Sequence, residues 1–469
     1  MFLKKVGPYQ FFVLLIFLIT YLLNQLDRYM LPITVKPMAQ ELHFGDKGCM
    51  IMTNYTESDL GKVKCDALQQ EKCESTTVGN GTMAHAVCKW DYNGQGFAYQ
   101  IVAGPVFVVV YTFAGIFISF AADKYNRKVL SWLEAGCTPF VASMLTDIYP
   151  SELRGTALGI YNWGIYLGYS MSYALGNLIT AANINGQGWR WSFFISGIPG
   201  IVIGILIMIV VKEPERKSAS KEAQEADVKG NEPLTQNDTF CTKLGRILKP
   251  FMAPSLILAI LAGSVRNAAG YVFAYNTQPY FTSIGESKED IAKYMGWIPI
   301  VGGTLSVAVG GFISDWVVKG RGIYARVAVI IASLILAAPF AAGTLFFSPP
   351  WAYICQIPTY LFGEMWIGIT LAIVVELMPS SVRTSAVAVY LFIISNIGGN
   401  MPLLVPPIQD GFENDGLTKS QSLRGALYIL YPGLYVLGAV LFIPAMFLLK
   451  RDQERARQLE YLNMQEPSK

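Results

Sequence analysis

Apolar runs separated by polar intervals dominate this chain. Runs of the roughly 20 residues that a helix needs to cross a hydrocarbon core of about 30 Å recur at 11–34, 97–122, 156–180 and 190–211. After a polar interval they resume at 251–277, 293–318, 326–347, 352–377, 385–408 and 425–449. They predict ten membrane spans. A further stretch, 129–149, is apolar but interrupted by Glu134, Gly136, Pro139 and Asp147. The pattern divides the chain into an N-terminal bundle (1–211) with an exposed loop at 36–93, a charged linker (212–249), a C-terminal six-helix bundle (250–449) and a tail (450–469).

Composition agrees with a polytopic membrane protein. Of 469 residues, 53% are hydrophobic and only 15% charged, outside the usual range of soluble domains. The net charge of +3 matters less than its placement, because basic residues gather in 212–249 and after Lys450. By the positive-inside rule both segments, and with them both termini, face the cytosol. No basic patch interleaved with aromatics suggests nucleic acid. The apolar start resembles a signal peptide, but Asp27 and Arg28 interrupt it and no small-residue cleavage site follows, so it reads as an uncleaved span.

The loop at 36–93 carries Cys49, Cys65, Cys73 and Cys88, an even set that predicts two disulfides in one of three pairings. It also carries glycosylation acceptors at Asn54 and Asn80, which are modified only outside the cytosol. The two histidines, His43 and His85, lie in the same loop, with no zinc-type spacing to the cysteines. No metal and no cofactor are expected. Nothing resembling a nucleophile elbow or a phosphate loop supports an enzyme.

The two halves repeat. DIYPSELRGTALGIY from Asp147 aligns with ELMPSSVRTSAVAVY from Glu376, matching Pro150 with Pro379, Arg154 with Arg383 and Tyr161 with Tyr390. A second pair aligns Asp123 with Asp315. Between these acidic markers the second half has 61 residues, enough for two spans, and the first has 24. The first bundle is therefore expected to lack about one and a half helices. Residues 129–149 are expected to start and end on the cytosolic side as a re-entrant or partly embedded helix.

DKYNRK at Asp123–Lys128 resembles the loop motif of the major facilitator superfamily, Gly-x-x-x-Asp-Arg-x-Gly-Arg-Arg/Lys, with Ser119, Lys124 and Asn126 as departures. The second copy keeps Gly311 and Asp315 but has Trp316 at the basic position. The resemblance implies an all-α, two-bundle fold and a gating role for Asp123, Lys124, Arg127, Lys128 and Asp315. Within that superfamily LNQLDRYMLPITVKPMAQEL, LEAGCTPFVASMLTDIYPSELRG and the stretch from Glu376 to Arg424 resemble the spinster family. That resemblance implies transport of lysophospholipids or sphingosine phosphate in late endosomes and lysosomes or at the plasma membrane. It also implies proton coupling through Asp27, Arg28 and Glu134, although the basic partner the family places before Glu134 is absent.

Intramembrane polar residues supply the candidate cavity, because a charge inside the bilayer must be paired, protonated or hydrated. Arg266 suits an anionic headgroup, or else pairs with Glu364 as a structural bridge. Asn24 and Asn267 lie in the same runs as Asp27 and Arg266. Tyr166, Tyr169 and Tyr173 share one helical face, as do Asn396 and Asn400. The expectation is a monomeric secondary carrier of a lysolipid-like anion. Alternatives are a sugar or small organic-anion carrier of the same fold, and a non-transporting splice form or incomplete gene product.

Overall fold

The computed structural model describes residues 6–52, 68–78, 85–102, 148–149, 151–212, 251–318, 324–377 and 383–465. It also describes Cys65, residues 106, 108–110, 112–113, 141, 144–145 and 321–322, and gives no side chains for 151–156, 158, 315, 375–377, 383–388 and 452–465. Most of the predicted segment 129–149 and most of the span at 97–122 thus lie outside the described residues. Asp123, Lys124, Arg127, Lys128, Glu134, Asn54 and Asn80 do as well.

The first bundle contains α1 (Pro8–Leu42), α2 (Gly96–Ile101), α3 (Ser151–Ala182) and α4 (Gly188–Val210). The second contains α5 (Pro254–Ser283), α6 (Lys288–Met295), α7 (Ile298–Val318), α8 (Tyr324–Phe346), α9 (Trp351–Gly363) and α10 (Trp366–Leu377). It is completed by α11 (Arg383–Asn400), α12 (Val405–Asn414), α13 (Lys419–Leu430) and α14 (Pro432–Gln465). Among the described residues, 8 helical runs are long and apolar enough to cross a membrane. α3 is not among them, since tyrosines, Asn162 and Asn177 dilute its apolar content.

Several boundaries depart from the sequence expectation. α1 runs through Pro32 and Pro37 to Leu42, so the loop predicted to begin at 36 begins later. Proline removes one helix hydrogen bond, but packing against α3 keeps the helix in register. Leu22 and Gln25 press so closely on Gly168 that no Cβ fits there. The predicted span 352–377 is two helices broken after Gly363, and 425–449 is broken at Tyr431 before Pro432. Residues 401–404 form a 3₁₀ turn between α11 and α12.

Both copies of the sequence repeat open a helix, α3 after Asp147 and α11 after Glu376. Their matched tyrosines are buried in the two bundles: Tyr161 stacks on Tyr21 at 4.6 Å, and Tyr390 donates to Thr370 Oγ1 at 2.8 Å. Around the bundles α4 presents Ile198, Ile201, Val202, Ile205 and Ile209 outward, the apolar surface a lipid-facing helix requires.

The loop is a small disulfide-bonded unit of two antiparallel pairs, β1 (Lys47–Ile51) with β4 (Cys88–Tyr92) and β2 (Thr77–Val78) with β3 (His85–Ala86). The bridges are Cys49–Cys73 and Cys65–Cys88, which selects one of the three pairings. All four half-cystines are buried in a cluster with Val87. At the same end Glu41 accepts from Trp189 Nε1 (2.7 Å) and Arg190 Nη1 (2.6 Å). At the opposite end Tyr9, Gln10, Tyr149 and Lys212 meet: Tyr149 O–H donates to Gln10 O (2.7 Å), Gln10 Nε2 to Ile148 O (3.1 Å) and Lys212 N–H to Tyr9 Oη (2.8 Å).

Candidate substrate site between the bundles

The two bundles meet unevenly along their length. Near the loop end, Tyr99 O–H donates to Tyr275 O (2.6 Å), Gln100 Nε2 to Asn276 Oδ1 (2.8 Å) and Tyr173 O–H to Ala274 O (3.3 Å). Asn177 and Gln278 exchange amide bonds of 3.2 and 3.0 Å. One core cluster accordingly runs through both bundles and takes in Tyr29, Tyr169 and Tyr173. Toward the opposite end, a separate cluster of Leu14, Phe17, Met144, Leu145 and Ile207 involves first-bundle residues alone among those described. Among the described residues, hydrogen bonds and a shared core join the bundles at the loop end, and at the other end the first bundle has a core cluster of its own.

Asp27 and Arg28 are adjacent in α1 but diverge, because neighbouring positions of a helix do not face one another. Asp27 is partly buried and accepts from Ser196 Oγ of α4 at 3.0 Å. Arg28 crosses the interface: Nη2 donates to Tyr275 Oη (3.3 Å), and its guanidinium lies 4.8 Å from the Tyr271 ring and 5.6 Å from that of Tyr29. Such aromatic contacts suit a cation in apolar surroundings.

Arg266 stays within the second bundle. Its Nε (3.1 Å) and Nη2 (2.7 Å) donate to Gly363 O, and Nη2 also donates to Glu364 Oε1 at 2.8 Å. The break between α9 and α10 leaves the Gly363 carbonyl without its helical donor, and the guanidinium takes that place. Tyr435 stacks beneath it at 4.4 Å, and only 1% of the residue is exposed.

Tyr166, Tyr169 and Tyr173 are all buried where α3 meets the second bundle. Tyr169 lies edge-on to Tyr29 at 4.6 Å and 6.4 Å from the Tyr360 ring, and its hydroxyl reaches Tyr173 Oη at 3.5 Å. Asn24 accepts from Gln25 Nε2 (3.0 Å). Asn267 Nδ2 donates to Ile394 O (3.0 Å), and Asn396 Nδ2 donates to Thr112 Oγ1 (2.9 Å) and Phe392 O (2.8 Å). Asn400 Nδ2 donates to Asn396 O (2.5 Å) within α11, and it is the Asn396–Thr112 bond that fastens α11 to the span after α2. Asp315 lies in the last turn of α7.

Sequence reasoning missed Ser196, Tyr271, Tyr275, Asn177 and Gln278. The two amides carried a usable signal, as polar side chains inside apolar runs seek partners. The serine and the tyrosines did not, being common in such helices.

The sequence profile of the Major Facilitator Superfamily matches residues 129–401, more than half of the chain, and the protein belongs to that superfamily. That superfamily is one of membrane transporters rather than enzymes. Relatives of this chain include protein spinster homolog 1 of Xenopus tropicalis, 23% identical over 407 residues with 75% of this chain and 74% of the relative covered. The sphingosine-1-phosphate transporter of the same organism is 24% identical over 390 residues, covering 79% and 73%. The probable galactarate/D-glucarate transporter of Escherichia coli is 25% identical over 359 residues, covering 74% and 76%. Among solved structures, a bacterial homolog of the human lysosomal transporter Spinster shares the fold with a TM-score of 0.59 and 19% identity, covering 95% of this chain and 97% of that one.

Proposed function

We propose that this transporter works by alternating access and carries an amphipathic anion of the lysophospholipid or sphingosine-phosphate class, with a proton as coupling ion. The observation that carries the reading is the Asp27–Arg28 pair. It sets a carboxyl held by a single described hydroxyl next to a guanidinium that reaches across the rocking interface. A proton taken up by Asp27 alters the charge beside Arg28, and movement of the bundles alters the contacts of Arg28. The tyrosine-rich interface offers apolar rings for a chain and hydroxyls for a headgroup. Glu134 belongs to the same coupling set by family resemblance.

With the disulfide-bonded loop on the lumenal or extracellular side and both termini in the cytosol, closure at the loop end is the inward-facing state. The setting is a lysosomal, late endosomal or plasma membrane, and the unit is a monomer. A second reading, transport of a sugar acid, has support in the similarity to the galactarate/D-glucarate carrier.

The test is uptake of oleoyl lysophospholipid and of D-glucarate into proteoliposomes, with and without a pH gradient. Lysolipid uptake that rises with the gradient, and loses that rise in Asp27→Asn, is expected. Uptake of glucarate alone would move the assignment to the second reading, and uptake of neither would overturn both.

A further inference from the structure

Among the described residues, the buried hydroxyls without a hydrogen-bond partner include Tyr166 Oη of α3 and Ser306 Oγ of α7. Ser306 is 0% exposed and Tyr166 4%. Their surroundings place them together. The Tyr166 ring packs directly on Gly303 of α7, one turn before Ser306. On the same stretch of α7, Gly302 packs on Tyr360 and Gly310 on Met365, so Ser306, midway between, stands level with the break at Gly363 and Glu364. Glu364 and Arg266 are the charged groups that act most directly on Tyr166. Glu364 uses Oε1 on Arg266, and its side chain keeps 15% exposure.

A buried polar group without a partner is costly, and a water or a ligand hydroxyl that bonds to it removes that cost. Because Arg266 and Glu364 neutralise one another, and Nε and Nη2 of Arg266 already donate to Gly363 O and Glu364 Oε1, the junction carries no net charge to call for a phosphate. An anion would also meet the carboxylate of Glu364. The groups present match a single alcohol in donor and acceptor count, an O–H to donate to the second carboxylate oxygen of Glu364 and an oxygen to accept from Tyr166 and Ser306. We propose that the junction of α3, α7 and the α9–α10 break is a subsite for an uncharged hydroxyl group of the substrate, selecting a polyhydroxylated headgroup over a bare phosphate. The proposal rests on the interface being the substrate cavity, and it narrows the proposed class to lysophospholipids with hydroxylated headgroups.

The experiment measures binding to the purified full chain in nanodiscs for oleoyl lysophosphatidylinositol, oleoyl lysophosphatidic acid and D-glucarate, in wild type, Tyr166→Phe and Ser306→Ala. Each variant is expected to weaken lysophosphatidylinositol about three- to tenfold, the range for one lost hydrogen bond, and to leave lysophosphatidic acid unchanged. Weakening of glucarate alone supports the hydroxyl subsite with a free polyol as its source. Thermal midpoints should stay level or rise, because removing an orphaned hydroxyl relieves a burial cost. Unchanged binding of both polyols in both variants, or a lower midpoint in both, overturns the subsite while leaving the cavity reading intact. Wild type that binds no probe overturns the cavity reading, and the subsite with it.

Discussion

Two arginines lie inside apolar helices of this transporter, and they are held in opposite ways. Arg266 is held within its own bundle by a helix-end carbonyl and a carboxylate on Nε and Nη2 and by an aromatic face. Arg28 spends a described hydrogen bond and a ring contact on residues of the other bundle, Tyr275 and Tyr271. A group tied within one rigid body keeps its partners through any rocking motion, whereas a group tied across two bodies must exchange them. The first arginine is thus tied into one bundle, and in the proposed alternating-access cycle the second belongs to the moving contact.

The largest expected effect comes from preventing that exchange. Asn177→Cys with Gln278→Cys places thiols on the two sides of the loop-end seal, where the native amides bond reciprocally. A short, reducible bis-thiol crosslinker should drop uptake to background in the double variant only, and dithiothreitol should restore it. Full uptake after complete crosslinking would show that the bundles do not part there, and Arg28 would then be as static as Arg266.

The fixed pair offers the next test. Glu364→Ala leaves a fully buried guanidinium without its counter-charge, and the expected loss is about 3–5 kcal/mol, read as a fall in thermal midpoint in detergent. Arg266→Met combined with Glu364→Leu should recover much of it, since replacing a buried ion pair by apolar groups is often neutral. If Glu364→Ala retains wild-type stability, the pair is not structural and the contrast between the arginines weakens. Tyr275→Phe sharpens the other side. It removes one bond across the interface, worth roughly 1 kcal/mol, so the outward-open population should rise about fivefold in accessibility labelling, with little change in midpoint.

How far the sequence foretold this arrangement depended on the kind of signal. Spans follow from composition alone, and the repeat located α3 and α11 because short polar motifs at helix starts survive where apolar runs blur. The tyrosine face of α3 followed from helical periodicity. The helix break at Gly363 did not, because a glycine before an acidic residue reads equally as a packed small residue. It becomes a break only because Arg266, 97 residues earlier, supplies donors to the freed carbonyl. The disulfide pairing was equally out of reach, as four cysteines permit three pairings and the register of β1 with β4 decides among them. Partners across the interface, such as Arg28 with Tyr275, depend on the relative position of two bundles that no local pattern encodes.

The smallest effect concerns two carboxylates in the disulfide-bonded loop that respond oppositely to pH. Partial burial raises the Asp46 carboxyl above its ordinary 3.8, with Asp410 and Glu413 of the second bundle adding to the rise and Lys419 opposing it. Burial also pushes Asp91 upward, but the bond from Lys89 Nζ at 2.6 Å and the Tyr92 N–H outweigh it and hold Asp91 below the same value. A raised carboxyl favours the folded loop when protonated, so its contribution is complete in acid and is lost as pH rises through its folded value. A depressed carboxyl contributes above its unfolded value and loses that contribution as pH falls through the folded one. Asp46→Asn should therefore leave the thermal midpoint unchanged near pH 4 and raise it slightly at pH 7, whereas Asp91→Asn should lower it at pH 7 and converge on wild type in acid. A loop whose midpoint follows pH identically in both variants would mean that neither carboxylate senses the contacts described, and that the loop meets the second bundle without charge recognition.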